Sequence, residues 1–222
     1  MARYKRLNVL STMVDIGLIP LFYEGNEEVA EKIIWACLDG GARCIEFTNR
    51  GDQALHVFEK LNCAFRDDPR LILGVGTVVD AVTAGLYIQL GANFIVGPMF
   101  DEETALLCNR RKIAYIPGCG SVNEISQAEK FGVEIVKVFP GTQIGGPSFI
   151  RMVLGPMPWT SMMPTGGVKP EESNIQEWIK AGAVCVGIGS QLISKEAVEN
   201  NNFREITNKV KQTLNWITEA RK

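Results

Sequence analysis

Lys137 lies within a run of mostly apolar, β-branched residues, Val136-Lys137-Val138-Phe139-Pro140. Such a run predicts a buried parallel strand that stops at Pro140. An amine taken out of water is harder to charge, so its pKa falls, and a neutral amine is a nucleophile toward a ketone carbon. The alternative is a lysine near a strand end whose amine reaches solvent. Lys137 is therefore a candidate nucleophile.

Glu46 is a second charged residue in an apolar segment, Cys44-Ile45-Glu46-Phe47-Thr48, and Arg50 follows just beyond it. Alternate side chains of a strand face the same way, so Glu46 and Thr48 share one face. A buried carboxylate suits proton transfer, and a structural ion pair with Arg50 or Lys137 is the other interpretation.

Composition excludes several classes of function. The chain has 222 residues, a net charge of −2 and no long basic block, so neither nucleic acid nor an anionic membrane is an expected partner. His56 is the only histidine, which argues against a Ser/His/Asp triad and His-rich metal sites. The six cysteines form no Cys-x-x-Cys pair and are predicted to be reduced thiols. No signal peptide or membrane-length apolar run is present, which predicts a cytoplasmic protein.

Short apolar runs alternate with helical patterns along the whole chain. This alternation predicts a single α/β domain, residues 1–222, formed by a (β/α)8 TIM barrel (about 17–222) after an extra N-terminal helix (about 5–16). An open doubly wound sheet is the second choice. Eight strand candidates are at 17–23, 42–48, 71–77, 92–98, 114–117, 135–140, 160–164 and 183–190.

The predicted strand ends carry glycine-rich turns where a barrel has its functional groups. Thr165-Gly166-Gly167-Val168 follows the seventh strand, and Gly187-Ile188-Gly189-Ser190 follows the eighth. In barrels of this class, the loops after these two strands often bind phosphate through backbone N–H groups. We therefore predict an anion site at these two loops.

These motifs together resemble the 2-keto-3-deoxy-6-phosphogluconate (KDPG) and 4-hydroxy-2-oxoglutarate (KHG) aldolase family. The resemblance runs from about Ile19 to Ser190, with the motifs in the family's order and spacing. Besides the segments around Lys137 and the two glycine turns, it rests on Glu46-x-Thr48-x-Arg50, Gly74-Val75-Gly76-Thr77, Gly97-Pro98 and Ile116-Pro117-Gly118.

The resemblance implies a class I aldolase, usually a homotrimer, that needs no metal or other cofactor. It implies that Lys137 forms the Schiff base and that Glu46 moves protons. The remaining roles that it implies are substrate contacts: Arg50 and Thr77 for the pyruvate carboxylate, Pro98 and Phe139 for the pocket wall, Thr165 near the reacting centre, and Gly166, Gly167, Gly189 and Ser190 for the phosphate. Asn49 and the segment Gly141-Thr142-Gln143-Ile144 depart from the family's usual pattern.

The function that this resemblance implies is reversible cleavage of KDPG to pyruvate and glyceraldehyde 3-phosphate, a lyase reaction of carbohydrate metabolism of the Entner-Doudoroff type. A related activity would cleave KHG to pyruvate and glyoxylate. The alternatives are a galactonate-type 2-keto-3-deoxy-6-phospho sugar acid aldolase, a sugar-phosphate epimerase or isomerase on the same barrel, and a sugar-phosphate-binding module. The last gains nothing from a desolvated amine.

Overall fold

The computed structural model describes residues 2–222, which form ten helices and nine strands. The strands are β1 Leu18–Phe22, β2 Cys44–Thr48, β3 Ile72–Gly76, β4 Phe94–Val96, β5 Ala114–Ile116, β6 Gly118–Cys119, β7 Val136–Val138, β8 Met162–Pro164 and β9 Val186–Ile188. The helices are α1 Arg6–Ile16, α2 Glu27–Asp39, α3 Ala54–Ala64, α4 Ala81–Gln89, α5 Glu102–Arg111, α6 Val122–Lys130, α7 Gly146–Leu154, α8 Glu172–Lys180, α9 Lys195–Glu199 and α10 Phe203–Ala220.

All strand pairs are parallel. A six-stranded sheet has the order β5-β4-β3-β2-β1-β9 and forms a half-barrel, and a three-stranded sheet has the order β6-β7-β8. A parallel bridge between Thr165 and Gly187 connects the end of β8 to β9. The N–H of Gly118, at the start of β6, donates to the carbonyl of Gly97 after β4 at 3.0 Å.

Each of the eight segments predicted as strands contains strand, so the predicted α/β alternation is confirmed. The fifth segment continues into two pieces, β5 and β6, on either side of Pro117. Proline has no N–H to donate to a ladder, which accounts for the interruption. Asn26 and Asp101, the N-cap residues of α2 and α5, accept hydrogen bonds from the N–H groups of Val29 and Thr104.

The buried residues form two hydrophobic clusters. The larger lies between strands and helices. The smaller includes Ile19, Cys44, Ile72, Phe94 and Met163 of the strands together with Val9, Leu10 and Met13 of α1. Because these strand residues face away from the outer helices, we call their side of the sheets the inner face. Helix α1 therefore covers the inner face near the strand starts.

The structure also shows the environment of the cysteines and of the single histidine. The six cysteines are all free thiols, and Cys63 alone among them is exposed. His56 lies on α3 and is exposed, as expected for an ordinary helix residue. None of the helices within residues 2–222 has the length and apolar character needed to cross a membrane.

Candidate active site

Lys137 and Glu46 are buried on the inner face, each in the middle of its strand. The Lys137 side chain is on β7, opposite Gly118 of β6 and Met163 of β8, and the residue is 6% exposed. Glu46 is on β2 opposite Leu21 and Gly74, and it is 1% exposed. Both residues come two positions after a member of the inner apolar cluster, Ile135 and Cys44 respectively. The side chains of Lys137 and Glu46 therefore lie next to the inner apolar cluster, on the side toward the carboxyl ends of the strands.

The surroundings of these two groups favour their neutral forms. Burial lowers the pKa of the Lys137 amine, Glu46 opposes this effect, and Arg50 lowers the pKa further. Burial raises the pKa of the Glu46 carboxyl, while Lys137 and Arg50 act in the opposite direction. Among the ion pairs of residues 2–222, none joins Glu46 to Lys137 or Arg50. The structural ion pair considered from the sequence is therefore not formed.

Aromatic and glycine neighbours fix the two side chains. The Lys137 Nζ lies 5.0 Å from the centre of the Phe139 ring. The Glu46 carboxylate crosses Gly76 of the neighbouring strand so closely that a Cβ at position 76 would be 1.7 Å from Glu46 Oε1. Only a residue without a side chain leaves room for this carboxylate, so glycine at 76 positions Glu46.

Arg50 extends from the loop after β2 toward the end of β3. Its Nε donates to Thr77 Oγ1 at 3.3 Å, and the N–H of Asn49 donates to the carbonyl of Gly76 at 2.8 Å. The Asn49 side chain accepts a 2.8 Å hydrogen bond from the hydroxyl of Tyr87, which is itself buried in α4. Asn49, a departure from the family's usual residue, thus holds the loop that carries Arg50.

A cavity of about 620 Å³ opens at the carboxyl ends of β1, β2, β8 and β9. Its walls include seven of the residues predicted from the sequence: Arg50, Phe139, Thr165, Gly166, Gly167, Gly189 and Ser190. Thr48 and Phe139 line it, and each is two positions beyond a buried charge, Glu46 or Lys137. Glu46 and Lys137 therefore belong to the layer next to the cavity.

Several buried polar atoms near this cavity have no hydrogen-bond partner among the described residues. They are Glu46 Oε2, Thr48 Oγ1 and Thr165 Oγ1. Buried polar groups are normally paired, because leaving one unpaired costs about 1–3 kcal/mol. These atoms are available to a bound molecule.

The two glycine turns also lie at the cavity wall. Gly166 and Gly167 have φ values of +89° and +84°, a conformation that side chains disfavour. The N–H of Thr142 donates to the carbonyl of Gly166, and a Cβ at Gly167 would be 1.6 Å from Thr142 Oγ1. The segment after Pro140, another departure from the family pattern, thus packs directly on the first turn. The backbone N–H groups of Gly166, Gly167 and Ser190 have no acceptor within the described chain.

Besides Glu46 and Lys137, two predicted residues, Thr77 and Pro98, lie outside the cavity wall. Thr77 contacts it only through Arg50. The carbonyl of Pro98 packs against Gly118, the residue opposite Lys137, so Pro98 supports the lysine strand and does not line the cavity. The wall also includes residues that were not predicted as site residues, among them Leu21, Tyr23, Glu24, Lys195 and Glu199. Strand periodicity identifies Leu21, which pairs with Glu46, but no local pattern brings Lys195 or Glu199 to the wall. Within residues 2–222, no three His, Cys, Asp or Glu side chains cluster as a metal site requires.

Comparisons with known proteins agree with this geometry. The chain is similar to 2-dehydro-3-deoxy-phosphogluconate aldolase of Treponema pallidum, with 27% identity over 95% of this chain and 98% of the relative. It is 30% identical to the enzyme of the same name from Pseudoalteromonas atlantica over 89% of each chain. A solved KDPG aldolase of Legionella pneumophila, with pyruvate captured as a covalent carbinolamine, superposes with a TM-score of 0.83 at 27% identity, covering 91% of this chain and 96% of that one.

The family model described as KDPG and KHG aldolase matches residues 9–209. That span includes every site residue predicted from the sequence, from Glu46 to Ser190. The family suggested by the motifs is thus established over most of the chain. This protein belongs to the KDPG and KHG aldolase family and is a lyase of the aldolase type.

Proposed function

We propose that the protein is a class I aldolase that reversibly cleaves KDPG to pyruvate and glyceraldehyde 3-phosphate through an imine on Lys137. The observation that carries this proposal is the burial of the Lys137 amine beside Glu46 and Arg50, next to the cavity. Lowering the pKa of an amine increases the fraction that is neutral, and the neutral form is the one that attacks a ketone.

The reaction follows from the positions of these groups. Lys137 Nζ attacks C2 of the keto acid, and the carbinolamine takes up a proton and loses water to give an iminium. Glu46 takes the proton of the C4 hydroxyl, the C3–C4 bond breaks, and its electron pair moves into the iminium to form an enamine. The aldehyde leaves, the enamine is protonated at C3 with the help of Glu46, and hydrolysis of the imine releases pyruvate and free Lys137.

The other residues bind the two ends of the substrate. Arg50, with Thr77, holds the carboxylate next to C2, and Thr165 lies near the reacting carbons. Phe139 and Pro98 shape the lysine's surroundings, Phe139 through its ring and Pro98 through β6. The distal phosphate is bound by the N–H groups and hydroxyl of the two turns, formed by Gly166, Gly167, Gly189 and Ser190.

The same proposal covers the molecule's architecture and setting. We infer one closed (β/α)8 barrel domain spanning residues 1–222, supported by the Thr165–Gly187 bridge and the Gly118–Gly97 hydrogen bond between the two sheets. The resemblance further suggests a cytoplasmic homotrimer whose chemistry uses the lysine imine in place of a metal.

A second activity on KHG is consistent with the same proposal, because the family model covers both substrates. Cleavage of KHG to pyruvate and glyoxylate needs the same lysine and the same carboxylate site. It makes less use of the two glycine turns, since the distal group of KHG is a carboxylate nearer the reacting carbons.

The test is covalent trapping. Incubation with pyruvate and borohydride should add the mass of reduced pyruvate to Lys137, located by peptide mass spectrometry. Lys137→Arg should abolish both trapping and cleavage, because arginine keeps its charge and cannot serve as a neutral nucleophile. Lys180→Arg, on the exposed face of α8, is the matched control. Trapping at another lysine, or turnover by Lys137→Arg near that of the wild type, would refute the imine mechanism.

A further inference from the structure

The cavity wall holds a second cation besides Arg50. Arg50 lies at the end of β2, whereas Lys195 is the first residue of α9, five residues after Ser190. The proposed function assigns Arg50 to the substrate carboxylate, and the phosphate turns have so far been given only neutral donors. A phosphate carries more negative charge than a carboxylate near neutral pH. The wall's other cation therefore lies on the segment next to the turn that would bind it.

The chain after Ser190 is folded so that α9 returns to the cavity. The carbonyl of Gly189 accepts hydrogen bonds from the N–H groups of Leu192 and Ile193 at 2.9 and 3.0 Å, forming a tight turn. Leu192 and Ala197 are buried in the core and anchor the segment. Lys195, Val198 and Glu199 line the cavity, and their spacing puts them on one side of the short helix.

Lys195 forms a weak ion pair with Glu199, which another anion can replace. Its Nζ lies 3.3 Å from Glu199 Oε1, and the two side chains are 87% and 62% exposed. An exposed pair one helical turn apart contributes about 0.3–0.5 kcal/mol, so a more highly charged partner can replace Glu199. Glu199 also lines the cavity, and its charge repels a substrate phosphate whenever Lys195 does not neutralise it.

We propose that Lys195 is a specificity-determining residue. When substrate binds, Lys195 breaks its ion pair with Glu199 and pairs with the distal phosphate of the substrate instead. This inference rests on the proposed function and deepens it, because it names the group that favours phosphorylated over unphosphorylated keto acids. Glu199 acts against Lys195 as a competing acceptor. The two residues thus have opposite effects on the same substrate.

The experiment compares wild type, Lys195→Gln and Glu199→Gln on KDPG and on KHG. Lys195→Gln should raise KM for KDPG about two- to fivefold with kcat nearly unchanged, which is the upper part of the range for an exposed ion pair. KM for KHG should change less than KM for KDPG. Glu199→Gln should lower KM for KDPG, because the lysine loses its competitor. Added NaCl should raise KM for KDPG more in wild type than in Lys195→Gln.

Lys180→Gln is the control, since it removes the same charge from an exposed helix position away from the cavity. Equal KM changes for the two substrates, or the same KDPG response in Lys195→Gln and Lys180→Gln, would overturn the inference. So would a higher KM for KDPG in Glu199→Gln.

A binding measurement separates this inference from the aldolase proposal. Titration of wild type and Lys195→Gln with glycerol 3-phosphate measures the phosphate contact without any chemistry at Lys137. Weaker binding by Lys195→Gln supports the inference even if pyruvate trapping fails. Unchanged binding refutes it even if trapping at Lys137 succeeds.

Discussion

At the scale of single residues, Lys137 and Glu46 depend on each other. Each is buried, and each opposes the effect of burial on the other's pKa. Burial keeps the amine reactive, and the carboxylate keeps the lysine's pKa from falling further. Arg50 lowers the pKa of both groups, so it influences the charge of the lysine in addition to its proposed role in binding the substrate carboxylate.

Replacing Glu46 by glutamine tests this coupling with two readouts. We expect turnover to fall by about two to four decades, the usual scale of general acid–base catalysis. Since Glu46 raises the pKa of Lys137, its removal should lower that pKa. The rate of pyruvate trapping, which rises as the amine loses its proton, should then reach half its maximum at a lower pH than in wild type.

The control for this variant is its folded fraction, measured by circular dichroism at each pH. Burial raises the pKa of Glu46, so its stability contribution is full below the ordinary carboxyl pKa and is lost as pH rises through the raised pKa. Glu46→Gln should therefore be no less stable than wild type at neutral pH. Loss of folding with normal kcat in the folded fraction would mean that Glu46 is only structural.

At the scale of elements, the strands position Glu46 and Lys137, and the loop after β2 positions Arg50. Period-two alternation on β2 and β7 puts Glu46 and Lys137 on the inner face, while β3 contributes Gly76, whose missing side chain makes room for the Glu46 carboxylate. The loop after β2 is held by the Tyr87 hydroxyl, and burial raises the pKa of Tyr87 to about 12. Tyr87 therefore stays a protonated donor over the working pH range.

Gly76→Ala should lower activity because the added methyl group displaces the Glu46 carboxylate. The added Cβ would overlap Glu46 Oε1 at 1.7 Å, so the carboxylate has to move. We expect kcat to fall toward that of Glu46→Gln while pyruvate still becomes trapped on Lys137. Steady-state kinetics and trapping yields measure the two effects.

Gly85→Ala is the matched control on α4, where a new Cβ would be 3.8 Å from the nearest atom, Leu107 Cδ2. It should keep full activity and gain up to about 1 kcal/mol of helix stability. A fully active Gly76→Ala would show that the position of Glu46 is not critical.

Much of the element order was readable from the sequence, because the strands are short apolar runs and several helices begin with a capping side chain or end near a glycine. The glycines at 41, 91, 132 and 182 all have positive φ, as helix-terminating steps should. Short-range patterns also identified Lys137, Glu46 and the glycine turns. They could not identify Lys195 or Glu199, which reach the cavity only because a turn after Ser190 folds α9 back. Pro98 follows β4 in the sequence, but no sequence pattern shows that it packs against Gly118 and not at the cavity wall.

At the scale of the whole molecule, exposed apolar residues suggest where copies of the chain meet. Val82 and Leu86, one turn apart on α4, are 78% and 50% exposed. Met99, which precedes the adjacent helix α5, and Leu106, which lies on α5, are also exposed. Large contiguous apolar patches on soluble proteins commonly mark contacts between proteins.

We expect analytical ultracentrifugation to give three times the chain mass of 24.5 kDa. Val82→Asp should shift the population toward smaller species, because a charge in an apolar contact is costly to bury. Lys211→Asp, a charge change on the exposed side of α10, should leave the mass unchanged. A monomeric wild type would refute the trimer, and a trimeric Val82→Asp would move the contact to another surface.

Helix α1 has a consequence for the chemistry at the other end of the strands. Its side chains Val9, Leu10 and Met13 cover the inner apolar layer on the side opposite the cavity, and that layer separates Lys137 from the bulk water beneath it. Lys137 is thus shielded from water on that side by a helix that does not line the cavity. If α1 detached, water would reach the Lys137 amine through the inner apolar cluster and favour its charged form. The reactivity proposed for Lys137 thus depends on the N-terminal segment as well as on its own strand.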